Sequence, residues 1–279
     1  MDKALRILFV LVLGSLTSIS VSLSNAQSSG KTILRVRGAN TMATMIDKLA
    51  KTYDEIHTDC SVAVSGGGIQ EGLRALQDKT VDVVMATRQI STKESQSVSQ
   101  KGIRLTERLI GWEAIPIIVH PDNPVKELTV EQLRKVFAGD CTDWNDLGGE
   151  TLQIVLYVGD PSRSGMAEFI NESVLKTVPP YANLRRYYPS IIKDVSSRAD
   201  AAGYVPLALA LKAQSHGTIK ILGIKKDSAS PAIWPSPETV ADRTYPLTRP
   251  LFLCYDEKST KNQIKQFVEF CASKGLGLQ

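Results

Sequence analysis

The chain has 279 residues, of which 43% are hydrophobic and 22% charged, with a formal net charge of +4 at pH 7. That composition is globular, sufficient for one large domain or two of ordinary size, and it excludes a disordered or collagen-like chain. The positive excess is mild and no run of basic residues occurs, which argues against nucleic acid as a partner and suits an anion as ligand.

Lys3 and Arg6 make a short basic start, Ile7 to Leu13 is unbroken and apolar, and Ser24-Asn25-Ala26 ends in small residues. This pattern predicts a secretory signal peptide over residues 1–26, cut after Ala26. Its apolar core is short for a membrane span, which needs roughly 20 residues, and no cysteine follows it to carry a lipid. The mature protein is therefore expected to be periplasmic or secreted. Such a compartment permits disulfides. Cys60, Cys141, Cys254 and Cys271 allow several pairings, and sequence chooses none of them. His57, His120 and His216 lie far apart with no ligand spacing, so no metal or cofactor is expected.

Ile33 to Arg37 reads as a strand, Gly38-Ala39-Asn40-Thr41 as a turn, and Met42, Met45, Ile46, Leu49, Ala50 and Tyr53 as one face of an amphipathic helix. Thr41 stands where an N-cap would be. Cys60 to Val64 is a second strand, followed by Ser65-Gly66-Gly67-Gly68 and a helix carrying Ile69, Leu73 and Leu76. Helix starts have unpaired N–H groups, and glycines let a ligand approach them, so this turn is a candidate anion site. Val81 to Ala86 is a buried strand that ends at Thr87-Arg88. Alternating strands and helices predict a mostly parallel α/β sheet, with the three turns facing one crevice at the strands' carboxyl ends.

Ala114 to Val119 is the next strand. Thr129-Val130-Glu131-Gln132 is a capping box for a helix closed by Gly139, and Trp144 to Gly149 is loop. Gln153 to Val158 is a strand, and the turn Gly159-Asp160-Pro161-Ser162-Arg163-Ser164-Gly165 leads into a helix over residues 167–175. Ser164 is its N-cap candidate. Lys225 to Thr248 is rich in proline and turn residues, Leu251 to Cys254 is a strand, and a final helix carries Ile264, Phe267, Val268 and Cys271 on one face.

Taken together, these segments resemble the phosphate-binding periplasmic receptors of ABC transporters, within the type II solute-binding protein superfamily. The resemblance runs through Gly38 to Met42, Ser65 to Ile69, Val81 to Arg88, Asn123-Pro124, Phe137-Ala138-Gly139, Trp144 to Gly149, Ser164-Gly165, Gly203-Tyr204 and Tyr245 to Leu251. It implies a two-lobed α/β fold with two crossing strands, near Trp112 to Pro116 and Tyr245 to Phe252. Lobe 1 would comprise residues 27–113 and 249–279, and lobe 2 residues 114–248. Cys60, Cys254 and Cys271 would share a lobe, and any disulfide would join two of them. The implied function is capture of phosphate or a related oxyanion by a non-enzymatic monomer that delivers it to a membrane ABC permease.

Carried over position by position, the implied ligands are Thr41 and the backbone of Met42, Ser65 with Gly66 and Gly67, and Ser164 with Gly165. The family commonly has arginine and threonine where this chain has Asp160 and Met166, and many phosphate receptors have aspartate where it has Thr87. Arg88 or Arg163 would then supply the cation and Asp160 the acceptor. Two other functions use the same residues. One is a degenerate receptor acting as a sensor or surface protein. The other is an extracellular phosphatase with Ser65 or Ser164 as nucleophile, although no histidine or carboxylate stands at a spacing that marks a base.

Overall fold

The computed structural model describes residues 31–161, 164–175 and 181–274. The expected signal segment through Ala26 lies outside them, as does Arg163.

The first sheet is built from both ends of the described chain. β1 (Thr32–Gly38), α1 (Asn40–Ile56), β2 (Cys60–Ser65), α2 (Ile69–Gln77) and β3 (Val83–Ala86) alternate as the apolar periodicities require. β1 pairs in parallel with both β2 and β3. α3 (Thr92–Gln100) and β4 (Leu105–Ala114) follow. α3 has a single buried residue, Val98, too little apolar periodicity to mark a helix in the sequence. Its start is nonetheless well made, by a capping box between Ser91 and Glu94.

The chain then enters a second sheet through β5 (Ile117–Val119). The single strand expected over residues 114–119 is broken, because Pro116 has no N–H to give to a ladder. Ile115 instead donates its amide to Leu247 O at 2.9 Å. β6 (Glu127–Thr129), α4 (Val130–Ala138), β7 (Val155–Gly159), α5 (Gly165–Phe169), β8 (Asn183–Arg185), α6 (Tyr188–Ser196), β9 (Ala201–Tyr204), α7 (Leu207–Ser215), β10 (Lys220–Ile221), β11 (Gly223–Lys225) and α8 (Pro237–Ala241) complete this half. The capping box of α4 forms as read: Thr129 Oγ1 accepts from Gln132 N at 3.0 Å and Gln132 Oε1 from Thr129 N at 2.8 Å. Gly139 closes the helix at φ 82°, where a side chain would be strained. Trp144–Leu147 is a single 3-10 turn rather than open loop, and α5 passes directly into a π-helical turn over Ile170–Leu175.

β12 (Thr248–Asp256) returns the chain to the first sheet, and α9 (Asn262–Ser273) ends it there. The strand orders are β2-β1-β3-β12-β4 in the first sheet and β10-β5-β9-β7-β8 in the second, with β11-β6 as a separate pair. The sheets are less parallel than expected. β12 runs antiparallel to both β3 and β4, and β5 runs antiparallel to β9 and β10, because these are the strands that carry the chain between halves or double back beside the crossing.

Each half has its own core. One gathers Leu34, Met42, Tyr53, Val84 and Leu253 with Phe267 of α9. The other gathers Ile117, Phe137, Trp144, Met166 and Tyr204, with a smaller cluster around Ile118 and Ile191 on the far face of the second sheet. Ile117, Ile118 and Val119 alternate between those two faces, so β5 is apolar at every position.

All four cysteines are free and buried. Cys60, Cys254 and Cys271 belong to the first core and Cys141 to the second. Burial pushes every one of these thiols up, Cys271 to about 12. Thiolate, the reactive form, is therefore scarce at neutral pH. Native protein should resist alkylation by iodoacetamide, all four cysteines should react in denaturant, and reductant should leave electrophoretic mobility unchanged.

Candidate functional site

Between the two sheets lies a cleft of about 1100 Å³, lined from both halves. The start of α1 contributes Thr41, the turn before α2 contributes Gly67 and Gly68, and the segment after β3 contributes Arg88. Opposite them stand Asp160, Ser164, Gly165 and Glu168 around the start of α5, and Tyr188 of α6. Glu113 at the end of β4 also lines the cleft.

The structure brings together Thr41, Gly67, Arg88, Ser164 and Gly165 of the expected ligand set. It leaves Met42, Ser65 and Gly66 out of the lining. Met42 is fully buried in the core and its amide donates to Ala39 O at 3.1 Å. Ser65 is exposed at the end of β2, its hydroxyl 3.4 Å from Val36 O. The glycine turn is braced internally. Gly67 N donates to Asn40 Oδ1 at 2.8 Å and Gly68 N to Gly38 O at 2.9 Å, so these amides tie the turn before α2 to the start of α1 and the end of β1. A Cβ at Gly66 would stand 2.1 Å from Asn40 Oδ1, so the glycine serves this close approach.

Thr41 is not the N-cap of α1. That position belongs to Ala39, which makes no side-chain cap. Thr41 lies one residue inside the helix, and its Oγ1 accepts a hydrogen bond from Arg249 Nη2 at 2.9 Å. Ser164 does cap α5, accepting from Ala167 N at 3.2 Å, and its Oγ lies 2.8 Å from Tyr188 Oη. Burial pushes the Tyr188 phenol up, so it stays a neutral hydroxyl at physiological pH.

Arg88 reaches the cleft with its charge already matched. Nη1 and Nη2 donate to the two oxygens of Glu94 at 2.9 and 3.0 Å. Nε and Nη2 also donate to Glu168 Oε1 at 3.3 Å, which joins the first half to α5 of the second. Arg88 is thus a tie between halves.

The residue that sequence reasoning missed is Arg249. It is the second residue of β12, directly across from Glu113 of β4, and is fully buried, outside the cleft lining. Nε and Nη2 donate to Glu113 Oε2 at 2.9 and 2.6 Å. Nη1 is buried with no hydrogen-bond partner among the described residues. A Cβ added at Gly165 would lie 3.6 Å from Nη1 and 2.8 Å from Thr87 Oγ1, so only glycine lets the start of α5 come this close. The clue in the sequence was one arginine in an apolar strand, Pro250-Leu251-Phe252-Leu253 following it. A buried charge demands a partner, but the partner lies on a strand remote in sequence. Among the described residues, no group of three or more metal-ligating side chains occurs.

Residues 25–274 match the family described as the PBP superfamily domain. The chain is similar to the phosphate-binding protein PstS of Staphylococcus haemolyticus (strain JCSC1435), 27% identical over 237 residues that cover 84% of this chain and 74% of the relative. Its fold is similar to the crystal structure of an ABC-type phosphate transport receptor from Vibrio cholerae, with a TM-score of 0.71, 24% identity, and coverage of 85% of this chain and 93% of that one. A putative phosphate ABC transporter substrate-binding protein with bound phosphate from Clostridium perfringens gives a TM-score of 0.69 at 22% identity, covering 86% of this chain and 92% of that one.

The Arg88 cluster makes a pH signature. Burial alone would raise the Glu94 carboxyl, but hydrogen bonds from Arg88 and Ser91 outweigh it and hold the group at about 2, against an ordinary 4.5. A carboxyl lowered on folding stabilises above its unfolded pKa and loses that contribution as pH falls through the folded one. Melting temperature should therefore fall more steeply between pH 4.5 and 2 in wild type than in Glu94→Gln. Equal slopes in a thermal melt series would show that Glu94 carries no such linkage.

Proposed function

The chain belongs to the PBP superfamily, and from that membership and the donors in its cleft we propose that it is an exported receptor for phosphate or a related oxyanion. It would act without catalysis, as a monomer, closing its halves over the anion and presenting it to a membrane ABC permease. The names of its relatives support phosphate as the first ligand to test. The N-terminal segment ending at Ala26 supports export.

One observation carries the reading. Hydroxyls from opposite halves, Thr41 and Ser164, line one cleft, and Thr41 is bonded to a fully buried arginine whose Nη1 has no partner among the described residues. A buried donor without an acceptor costs about 1–3 kcal/mol, more when charged. An anion oxygen at Nη1 would recover that cost. Thr41 Oγ1 accepts from Arg249, which leaves its own proton to be donated to a ligand. Closure would remove water from the anion and strengthen each charge-assisted bond.

Asp160 in the lining, where the resembled family commonly has arginine, favours the second reading, a degenerate receptor that senses without binding phosphate. Ligand titration separates the two. Phosphate should raise the melting temperature of the mature protein, since it binds only the folded chain. Thr41→Val, which keeps shape and removes the hydroxyl, should weaken phosphate binding about tenfold or more, as expected for loss of a charge-assisted hydrogen bond. If millimolar phosphate, arsenate and sulfate all leave the melt unmoved, the degenerate-receptor reading holds instead.

A further inference from the structure

The cleft is much larger than orthophosphate requires. A tetrahedral oxyanion fills roughly the space of two water molecules, whereas the cleft measures about 1100 Å³. Part of its lining is a stripe of α1. Thr41, Thr44, Met45 and Lys48 recur at i, i+3, i+4 and i+7, and all four line the cleft. Lys48 therefore lies two turns beyond Thr41, about 10 Å along the helix axis. The second half extends the lining past Ser164 with Arg186 and Tyr187, just before α6, and with the start of α7.

Most cations of this cleft are already matched. Arg88 is bonded to Glu94 and Glu168, and Arg185 to Asp194. Lys48 and Arg186 differ. Both are exposed, and neither side chain has a hydrogen bond or ion pair among the described residues. Arg186 instead lies over the Tyr187 ring, 5.5 Å from its centroid. Stacking orients a guanidinium and leaves its N–H edge free to meet an anion. One unmatched cation thus comes from each half. Closing the halves on orthophosphate alone would bring both into a narrower, drier cleft and raise their repulsion. A second negative charge on the ligand removes that cost. Apolar side chains share this part of the lining, Met45 and Leu49 of α1 with Leu207 and Leu209 of α7.

Building on the oxyanion reading above, we infer that the ligand is an organic phosphomonoester that carries a second anionic group. Its first phosphate takes the end of the cleft marked by Thr41 and Ser164. Lys48 and Arg186 hold the second charge, and Met45, Leu207 and Leu209 cover the carbon skeleton. The cleft then reads the spacing of two charges, and a ligand with a single anionic group leaves both cations unmet.

Isothermal titration of the mature protein in about 0.15 M salt, where well-separated exposed charges are screened, tests this. The probes are sodium orthophosphate, fructose 6-phosphate, fructose 1,6-bisphosphate and inorganic tripolyphosphate. Wild type should prefer the bisphosphate to orthophosphate and to fructose 6-phosphate by about tenfold or more, as expected for one added charge-assisted hydrogen bond. It should also prefer the bisphosphate to tripolyphosphate, which brings charge without a carbon skeleton. In the double variant Lys48→Gln, Arg186→Gln the preference for bisphosphate over fructose 6-phosphate should shrink to about twofold or less. A preference unchanged by the variant would overturn the roles of Lys48 and Arg186. Tripolyphosphate matching the bisphosphate would overturn the organic ligand. Orthophosphate binding wild type as tightly as the bisphosphate would overturn the whole inference and leave the receptor reading standing. That comparison needs no variant, so it decides the matter even if a ligand-free melt shows that the double variant does not fold. Wild type binding none of the four would instead overturn the receptor reading, and this inference with it.

Discussion

The structure turns on one ion pair, Arg249 with Glu113, set face to face on the two strands that join its halves. Taking a guanidinium wholly out of water is costly, and removing either partner from such a pair is more so than replacing both. The pair is held where the backbone leaves no slack. β4 and β12 are antiparallel neighbours along their length, in register at Arg249 and Glu113, with a shift only further along at Leu251 and Phe252. A buried charge at a crossing is a poor choice for stability alone. Here it places a rigid, directional donor between Glu113 and Thr41, two residues that line the cleft, and Thr41 of α1 is tied to it at 2.9 Å.

From that point the two halves are fitted together by small contacts. Glycine at position 165 lets the start of α5 reach Thr87 and Arg249. Arg88 bridges Glu94 of its own half and Glu168 of the other. Such part-exposed ion pairs contribute little to stability individually, but this one spans the cleft and is directional. It gives the halves a preferred approach that does not depend on a ligand. The glycine turn after β2 serves a related end, since its amides fix the start of α2 to the junction of β1 and α1.

Two kinds of polar group thus share the cleft. Some are fully used by the protein, like the amides of Gly67 and Gly68 and the guanidinium of Arg88. Others have capacity left among the described residues, like the proton of Thr41 in the lining and, bonded to Thr41 from behind, the guanidinium of Arg249 through Nη1. Only the second kind is available to a ligand. The distinction rests on hydrogen-bond partners, and residue type does not reveal it.

The sequence by itself determined the alternation of strands and helices, because burial on one face writes its period into the chain. Met42 to Tyr53, Ile69 to Leu76 and Ile264 to Cys271 are legible for that reason, and the capping box at Thr129 and the glycine at 139 mark helix ends by local chemistry. α3, with one buried residue, left no such period, and the break at Pro116 was masked by apolar residues on both sides. For the site, Thr41, Ser164 and Gly165 were legible because helix starts have recognisable residues. Ser65 and the glycine turn fit the same pattern, yet tertiary structure uses them as a brace. Arg249 and Glu113, more than a hundred residues apart, were decided by tertiary structure alone. Their meaning comes from strand register, and no local pattern encodes which strand a buried arginine will face.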